Sequence, residues 1–268
     1  MYPILFHIGS FPVRSYGVIL MIGVLVALWF ARKRAPKFGV LPEDLLDSLF
    51  WMIIPGILGA RLVYIAQNFK EMAAQNQLFS LQFNGLTSFG GMIFGLIGVI
   101  AYVKFKKKPL WPMLDTIGVQ VLVAHAIGRI ACLMNGCCFG WPGEEWYCVP
   151  VDGLHGHFLP AQLLDTFMCL AFAGILMLME RKKHPYGVST SLVIISYGVS
   201  RYIYEFWRAG KQVNGKWVAD SMANLPITRA QFTAVILVII GLAMYFILSR
   251  RKAIPESAPS DPTPEAAA

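Results

Sequence analysis

Three arginines stand where a cation is costly. Arg61, Arg129 and Arg201 each lie inside a long apolar stretch. An arginine at the centre of a membrane helix costs about 2.5–3.5 kcal/mol on insertion scales, so those that persist are usually functional. A planar guanidinium offers paired N–H donors that match the oxygens of phosphate. Around Arg201 the spacing says more. Arg201, Glu205 and Arg208 fall at i, i+4 and i+7 and share one helical face. Glu205 can hold either arginine by a charge-assisted hydrogen bond. Two readings stay open for each arginine. It binds an anion, or it snorkels and ion-pairs to fix helix packing.

The elements that must position these residues are membrane spans. The chain has 268 residues, of which 56% are hydrophobic and 14% charged. A soluble domain carries about 25% charged residues, so an ordinary soluble enzyme is excluded. Five cysteines in this length are too few for a disulfide scaffold. Seven stretches approach the ~20 residues that cross a hydrocarbon core: Ser15–Ala35, Leu45–Gln67, Ser88–Lys104, Leu114–Asn135, Ala161–Arg181, Tyr186–Phe206 and Arg229–Arg250. The expected fold is an all-α integral membrane protein of seven transmembrane helices. No internal repeat is visible.

Basic residues set the orientation. Of 23 lysines and arginines, fourteen cluster after spans one, three, five and seven, and six lie on the other side. Positive charge stays cytoplasmic, so the N-terminus is expected outside and the C-terminus inside. The net charge of +8, which would suggest nucleic acid on a soluble protein, is mostly topology. The first span lacks a basic leader and is not expected to be a cleaved signal peptide. Residues 1–252 read as a single transmembrane catalytic domain with external loops at 136–159 and 207–228. The tail, 253–268, is rich in Pro, Ser, Ala and acid and reads as disordered and cytoplasmic.

The three remaining cations converge in depth. Arg61 lies 16 residues past Leu45, Arg129 15 past Leu114 and Arg201 15 past Tyr186. At 1.5 Å per residue all three reach the outer third of a ~30 Å core. Tyr16, Gly90, Gly91, Asn135 and Gln162 fall at the same level. The two glycines either let helices approach closely or turn backbone N–H groups to an anion. Close packing is the better reading for Gly91-xxx-Gly95. Such a pocket suits the phosphate of a membrane lipid, the most abundant phosphate at that depth. The residues alone do not distinguish an enzyme from a lipid-binding or transport protein.

The motifs resemble those of a known family. Gly128-Arg129-Ile130-Ala131-Cys132-Leu133-Met134-Asn135-Gly136-Cys137-Cys138-Phe139-Gly140 resembles the signature G-R-x-G-N-F-x-N-x-E-x-x-G of the bacterial phosphatidylglycerol–prolipoprotein diacylglyceryl transferases. Ser15-Tyr16-Gly17, Gly59-Ala60-Arg61, Ser88-Phe89-Gly90-Gly91, Pro160-Ala161-Gln162-Leu163 and Ser200 to Arg208 resemble further motifs of that family in order, and Asp115 stands at its spacing before the signature arginine. The resemblance covers nearly the whole chain. It implies a seven-span enzyme of the bacterial cytoplasmic (inner) membrane with its site facing the outer leaflet. The donor would be phosphatidylglycerol and the acceptor the lipobox cysteine thiol of a prolipoprotein, with glycerol phosphate released. Arg129 and Arg201 would hold the phosphate. Glu205 and Arg208 would orient Arg201. Tyr16, Arg61, Gly90, Gly91, Asn135, Gly140 and Gln162 would complete the substrate site. No metal, organic cofactor or nucleic acid is expected.

Three positions depart from the family pattern. Phe89 replaces a histidine that is the best base candidate in the resemblance, Cys132 replaces an asparagine, and Cys137 replaces a glutamate. His125, one turn before Arg129 on the same face, is the nearest substitute base. Its other reading is a histidine hydrogen-bonded between helices. The departures also leave room for a related transferase with a different acceptor. Cys132, Cys137, Cys138 and Cys148 cluster near the outer end of span four. A disulfide from Cys148 to Cys137 or Cys138 is expected there, while a metal site from His125 and the cysteines matches no common zinc spacing. Cys169 reads as packing.

The orientation is testable. A fluorescent protein that matures only in the cytoplasm should light up when fused after Ile254, and stay dark when fused in the 136–159 loop. The reverse pattern would invert the assignment.

Overall fold

The computed structural model describes residues 2–9, 11–69, 72, 87–213, 216–219, 221 and 227–251, with only the backbone of Phe11, Ser88, Phe89, Lys211 and Val213. The expected tail, 253–268, lies outside the described residues. Seven long helices follow one another among those described: α1 (Ser15–Arg34), α2 (Pro42–Gln67), α3 (Ser88–Phe105), α4 (Leu110–Met134), α5 (Ala161–Met179), α6 (Val188–Trp207) and α7 (Arg229–Ser249). Short antiparallel pairs decorate them: β1 (Ile4–Ile8) with β2 (Phe11–Arg14), β3 (Val149–Pro150) with β4 (His157–Phe158), and β5 (Lys211–Val213) with β6 (Lys216–Val218).

The predicted spans and the helices agree to within a few residues. Five of the helices are long and apolar enough to cross a membrane: α1 with the helical turn that extends it to Phe38, then α2, α4, α5 and α7. α3 is short in its fully described part, Gly90–Phe105. α6 is diluted by the polar residues that it buries, among them Ser189, Thr190, Ser191, Ser196, Ser200 and Glu205. Polarity is inverted relative to a soluble fold. Leu25, Ile54, Leu96, Phe167 and Ile239 are exposed, while Asp115, Gln120, Gln162 and Asp165 are buried. Lipid is the solvent that tolerates the first set and would strand the second.

The chain divides into two compact units. In Arg34–Met113, α2 packs on α3 through glycines. Room for a Cβ is absent at Gly98, where it would run into the Trp51 carbonyl, and at Gly90, where it would stand 2.5 Å from the Gly59 carbonyl oxygen. Such close backbones are how membrane helices gain packing without a hydrophobic drive. At one end Asp44 accepts from Tyr102 Oη at 3.0 Å and pairs with Lys108 at 3.0 Å.

In the other unit, Met1–Lys33 with Leu114–Ala268, buried carboxylates and small residues organise the helices. Asp115 on α4 accepts from Gly187 N (2.6 Å), Thr190 N (2.8 Å) and Thr190 Oγ1 (2.5 Å). It thereby satisfies orphan donors at the α6 N-terminus and complements the helix dipole there. Gly198 and Gly241 let α6 and α7 close on Val238 and Ile195. Thr228 and Gln231 form a capping box at the start of α7. An apolar cluster of Val119, Leu122, Val123, Ala173, Leu176 and Val193 joins α4, α5 and α6. Beyond the helices, the rings of Phe139, Phe158 and Trp217 meet at 4.7–5.6 Å between centroids.

The expected disulfide is not formed. All five cysteines are free. The Cys148 thiol instead lies 3.5 Å from Glu145 Oε2 within its own loop. Burial, and then the neighbouring carboxylate, push that thiol above its ordinary pKa. Cys137 and Cys138 sit with Cys132.

The α2–α3 contact carries a prediction. Gly98→Ala should lower the unfolding midpoint in detergent, at a cost of about 1–3 kcal/mol for overpacking against backbone. Gly17→Ala, where a Cβ meets nothing, should leave the midpoint unchanged or raise it slightly. Equal melting of the two variants would refute the packing account.

Candidate active site

α4, α5 and α6 each contribute charge to one buried network. On α5, Asp165 sits among apolar residues with 2% of its side chain exposed. Its Oδ2 accepts from Arg129 Nε at 2.5 Å and lies 3.2 Å from His125 Nε2. Its Oδ1 accepts from Ser200 Oγ at 2.5 Å. His125 and Arg129 are one turn apart on α4, so one carboxylate reaches both. The His125 ring meets Tyr197 edge-on at 5.3 Å. This is the interhelical arrangement that the sequence allowed for His125.

On α6 the expected face is assembled. Arg201 Nη1 lies 2.9 Å from Glu205 Oε2, and Arg208 Nη1 lies 3.5 Å from Glu205 Oε1. Arg201 and Glu205 approach off the hydrogen-bonding direction. Among the described residues, neither Arg201 Nη1 nor Glu205 Oε2 has a hydrogen-bond partner. A buried guanidinium N–H is thus left to donate elsewhere. Tyr204 joins the two halves. Its ring lies 4.5 Å from the Arg129 guanidinium and 5.1 Å from that of Arg201. Two cations share one aromatic ring, at which each is attracted by the quadrupole. Among the described residues three arginines face two carboxylates, Asp165 and Glu205, an excess of one positive charge.

The turn after α4 closes against this network. Gly136 N donates to Leu133 O and Cys137 N to Cys132 O, with Gly136 at φ 72°. That pair of bonds is a Schellman motif, with glycine taking the left-handed position. Gln162 Nε2 then donates to Cys137 O, and Tyr204 Oη to Cys138 O, both at 2.7 Å. Further on, Gly140 bridges Arg208 in antiparallel fashion, its N–H donating to Leu159 O at 2.7 Å. A Cβ at Gly140 would stand 2.6 Å from Trp207 O, so only glycine lets the loop lie against the end of α6.

Residues 3–247 match the model of a family described as prolipoprotein diacylglyceryl transferase. The chain belongs to that family. It is 30% identical over 257 residues to the phosphatidylglycerol–prolipoprotein diacylglyceryl transferase of Clostridium tetani, covering 94% of this chain and all of that protein. It is also 30% identical to the enzyme of the same name from Fervidobacterium nodosum, over 90% of this chain and 83% of that protein. The corresponding Symbiobacterium thermophilum protein is 27% identical over 94% of both chains.

The geometry sorts the expected site residues of this transferase-family chain. Arg129, His125, Arg201, Glu205 and Arg208 come together. Tyr16 lies at the start of α1, within electrostatic reach of Arg129 and the three nearby cysteines. Asn135 is exposed in the turn after α4. Gln162 holds the Cys137 carbonyl and keeps a buried Oε1 without a hydrogen-bond partner among the described residues. Arg61 lies on α2 with Tyr64 beneath its guanidinium at 5.8 Å. Gly90 and Gly91 face α2, as close packing requires. These last three belong to the Arg34–Met113 unit. Sequence reasoning passed over Asp165, Ser200 and Tyr204. Asp165 carried a usable signal, because an acid inside an apolar span is as costly as the arginines.

Removing one partner of the buried pair should be severe. Asp165→Asn strands the Arg129 charge and should destabilise the protein by about 3–5 kcal/mol. Adding Arg129→Met should recover part of that loss, because no buried charge is then left unpaired. Thermal unfolding in detergent checks both variants. A double variant no more stable than Asp165→Asn would argue against the pair as the organising contact.

Proposed function

We propose that this chain transfers the diacylglyceryl group of phosphatidylglycerol to the lipobox cysteine of prolipoproteins, the first step of lipoprotein maturation. The observation that carries the reading is the pair of guanidiniums, Arg129 and Arg201, meeting on the Tyr204 ring. In the transfer a thiolate sulfur attacks a glyceryl carbon, the C–O bond to phosphate breaks, and glycerol phosphate leaves. The lipid phosphate carries one negative charge before the bond breaks and gains another as it leaves. Arg129 and Arg201 bind that phosphate and stabilise the charge that develops on it. Glu205 and Arg208 orient Arg201, and Asp165 orients Arg129. The same positive field favours the thiolate of the acceptor. In the tautomer whose Nε2–H donates to Asp165, Nδ1 is the candidate acceptor for the thiol proton.

Tyr16, Asn135, Gln162 and Gly140 line or support the headgroup pocket in this reading, while Arg61, Gly90 and Gly91 stay candidate substrate residues by the family resemblance alone. All seven helices span the bacterial cytoplasmic membrane, with the N-terminus outside and the site opening to the outer leaflet. The alternation of basic clusters supports that orientation. The cysteines at positions 132 and 137, and Phe89, favour testing a second acceptor class beside the lipobox peptide.

The decisive assay supplies the purified protein with labelled phosphatidylglycerol and a lipobox peptide, and follows both by mass spectrometry. The peptide should gain one diacylglyceryl group as glycerol phosphate appears. Arg129→Ala and Arg201→Ala should each lower turnover by about 100-fold or more at unchanged expression. Full turnover in both variants would displace the site. Glycerol phosphate released only with another acceptor would move the acceptor, and lipid flux without a covalent product would replace the enzyme reading.

A further inference from the structure

Three thiols converge on the turn that closes α4, and the mechanism above uses none of them. The Sγ atoms of Cys132, Cys137 and Cys138 all lie within 4.8 Å of one another. Each residue is half-buried and free. The backbone explains the convergence. In the Schellman motif, Cys132 occupies the third position from the helix end and Cys137 the second position beyond it. Those are the two positions whose side chains the motif brings into contact. Cys138 follows with φ 64°, in the left-handed region that a side chain rarely adopts, and its thiol completes the trio. The turn is fastened from two other helices, by Gln162 on the Cys137 carbonyl and by Tyr204 on the Cys138 carbonyl. The fold of the turn therefore rests on bonds that do not involve sulfur, beside a weak one from Cys137 Sγ to the Cys132 carbonyl at 3.6 Å.

We infer that Cys132, Cys137 and Cys138 form a binding site for a single thiophilic metal ion, monovalent copper. Thiolate sulfur is a soft ligand and selects copper(I), zinc or iron–sulfur clusters. A closed zinc site needs four ligands, and among the described residues this group holds three. Three sulfurs suit the low coordination of copper(I). A second group, His125, Asp165 and Cys169, is already engaged with Arg129 and Ser200.

Binding is an exchange of protons for metal. Three S–H bonds break, three Cu–S bonds form, and three protons pass to solvent. No electron moves, and the copper remains monovalent. The complex of three thiolates with Cu(I) carries a charge of −2. The Arg129 charge, which acts on both Cys132 and Cys138, offsets part of that. The sulfurs need close by no more than a fraction of their present separation, because the turn already sets their order in space.

The test uses the full chain in detergent, reduced with a phosphine and kept anaerobic. Copper(I) is titrated in competition with a chromogenic copper(I) chelator. Wild type and Cys148→Ser should each retain one copper per chain. Cys132→Ser, Cys137→Ser and Cys138→Ser should each lose about 100-fold or more in affinity, with circular dichroism reporting that the helices persist. X-ray absorption at the copper edge of the wild-type complex should show sulfur alone as nearest scatterer, at a coordination of three. Loss of all copper from wild type to the chelator would overturn the site. So would equal retention by Cys137→Ser and Cys148→Ser, or a copper edge dominated by nitrogen or oxygen. The readout is metal and not lipid transfer. A chain inert as a transferase but binding copper leaves the site standing, and an active chain that binds none removes it.

Discussion

Asp165 places a carboxylate inside an apolar helix, and the surrounding arrangement follows from the need to satisfy it. A lone buried anion is costly enough that it must find donors or become neutral. Here the donors come from two neighbouring helices. Arg129 meets one oxygen and Ser200 the other. Each of those partners was itself a burden to its own helix. The pairing turns two costs into one restraint on how α4, α5 and α6 are rotated. It also explains why Arg129 does not snorkel. A counter-charge at 2.5 Å in a low-dielectric setting outweighs the reach to the interface. A second carboxylate, Glu205, does the same for Arg201 and Arg208, but less completely.

Incomplete compensation is what separates a site from a structural pair. Asp165 is saturated by its neighbours. Glu205 and Arg201 stand close yet misaligned, which leaves a donor and an acceptor unused. In the proposed mechanism a phosphate oxygen would take that donor without prior rearrangement. Preorganisation of that kind is where electrostatic catalysis draws its advantage.

Much of this was legible in the chain of letters. The helices were, because apolar stretches of the right length ended at basic clusters, and lipid enforces that pattern strictly. The α6 constellation was legible because residues at i, i+4 and i+7 must share a face. Contacts between helices were not. Nothing in the order of residues says that Asp165 meets Arg129 rather than Arg201, since rotation about each helix axis is set by packing. Tyr204 looked like one of many aromatics in a chain rich in them, and its role depends on lying between two cations. The disulfide expectation failed for a related reason. Proximity along the chain suggested Cys148, but the left-handed turn at Gly136 and Cys138 directed the other thiols inward to Cys132.

The bridge between Gly140 and Arg208 joins what would otherwise be separate moving parts. Backbone bonds flank it on both sides, from Ala209 to Phe139 and from Trp141 to Trp207. Phe139 in turn packs on Phe158 and Trp217. The Arg208 backbone is therefore tied to that of Phe139 and its neighbours. A displacement of that backbone would reach the Trp217 ring outside the helices through Phe139. Were the proposed phosphate site to draw on that backbone, tryptophan emission would report it well away from the arginines.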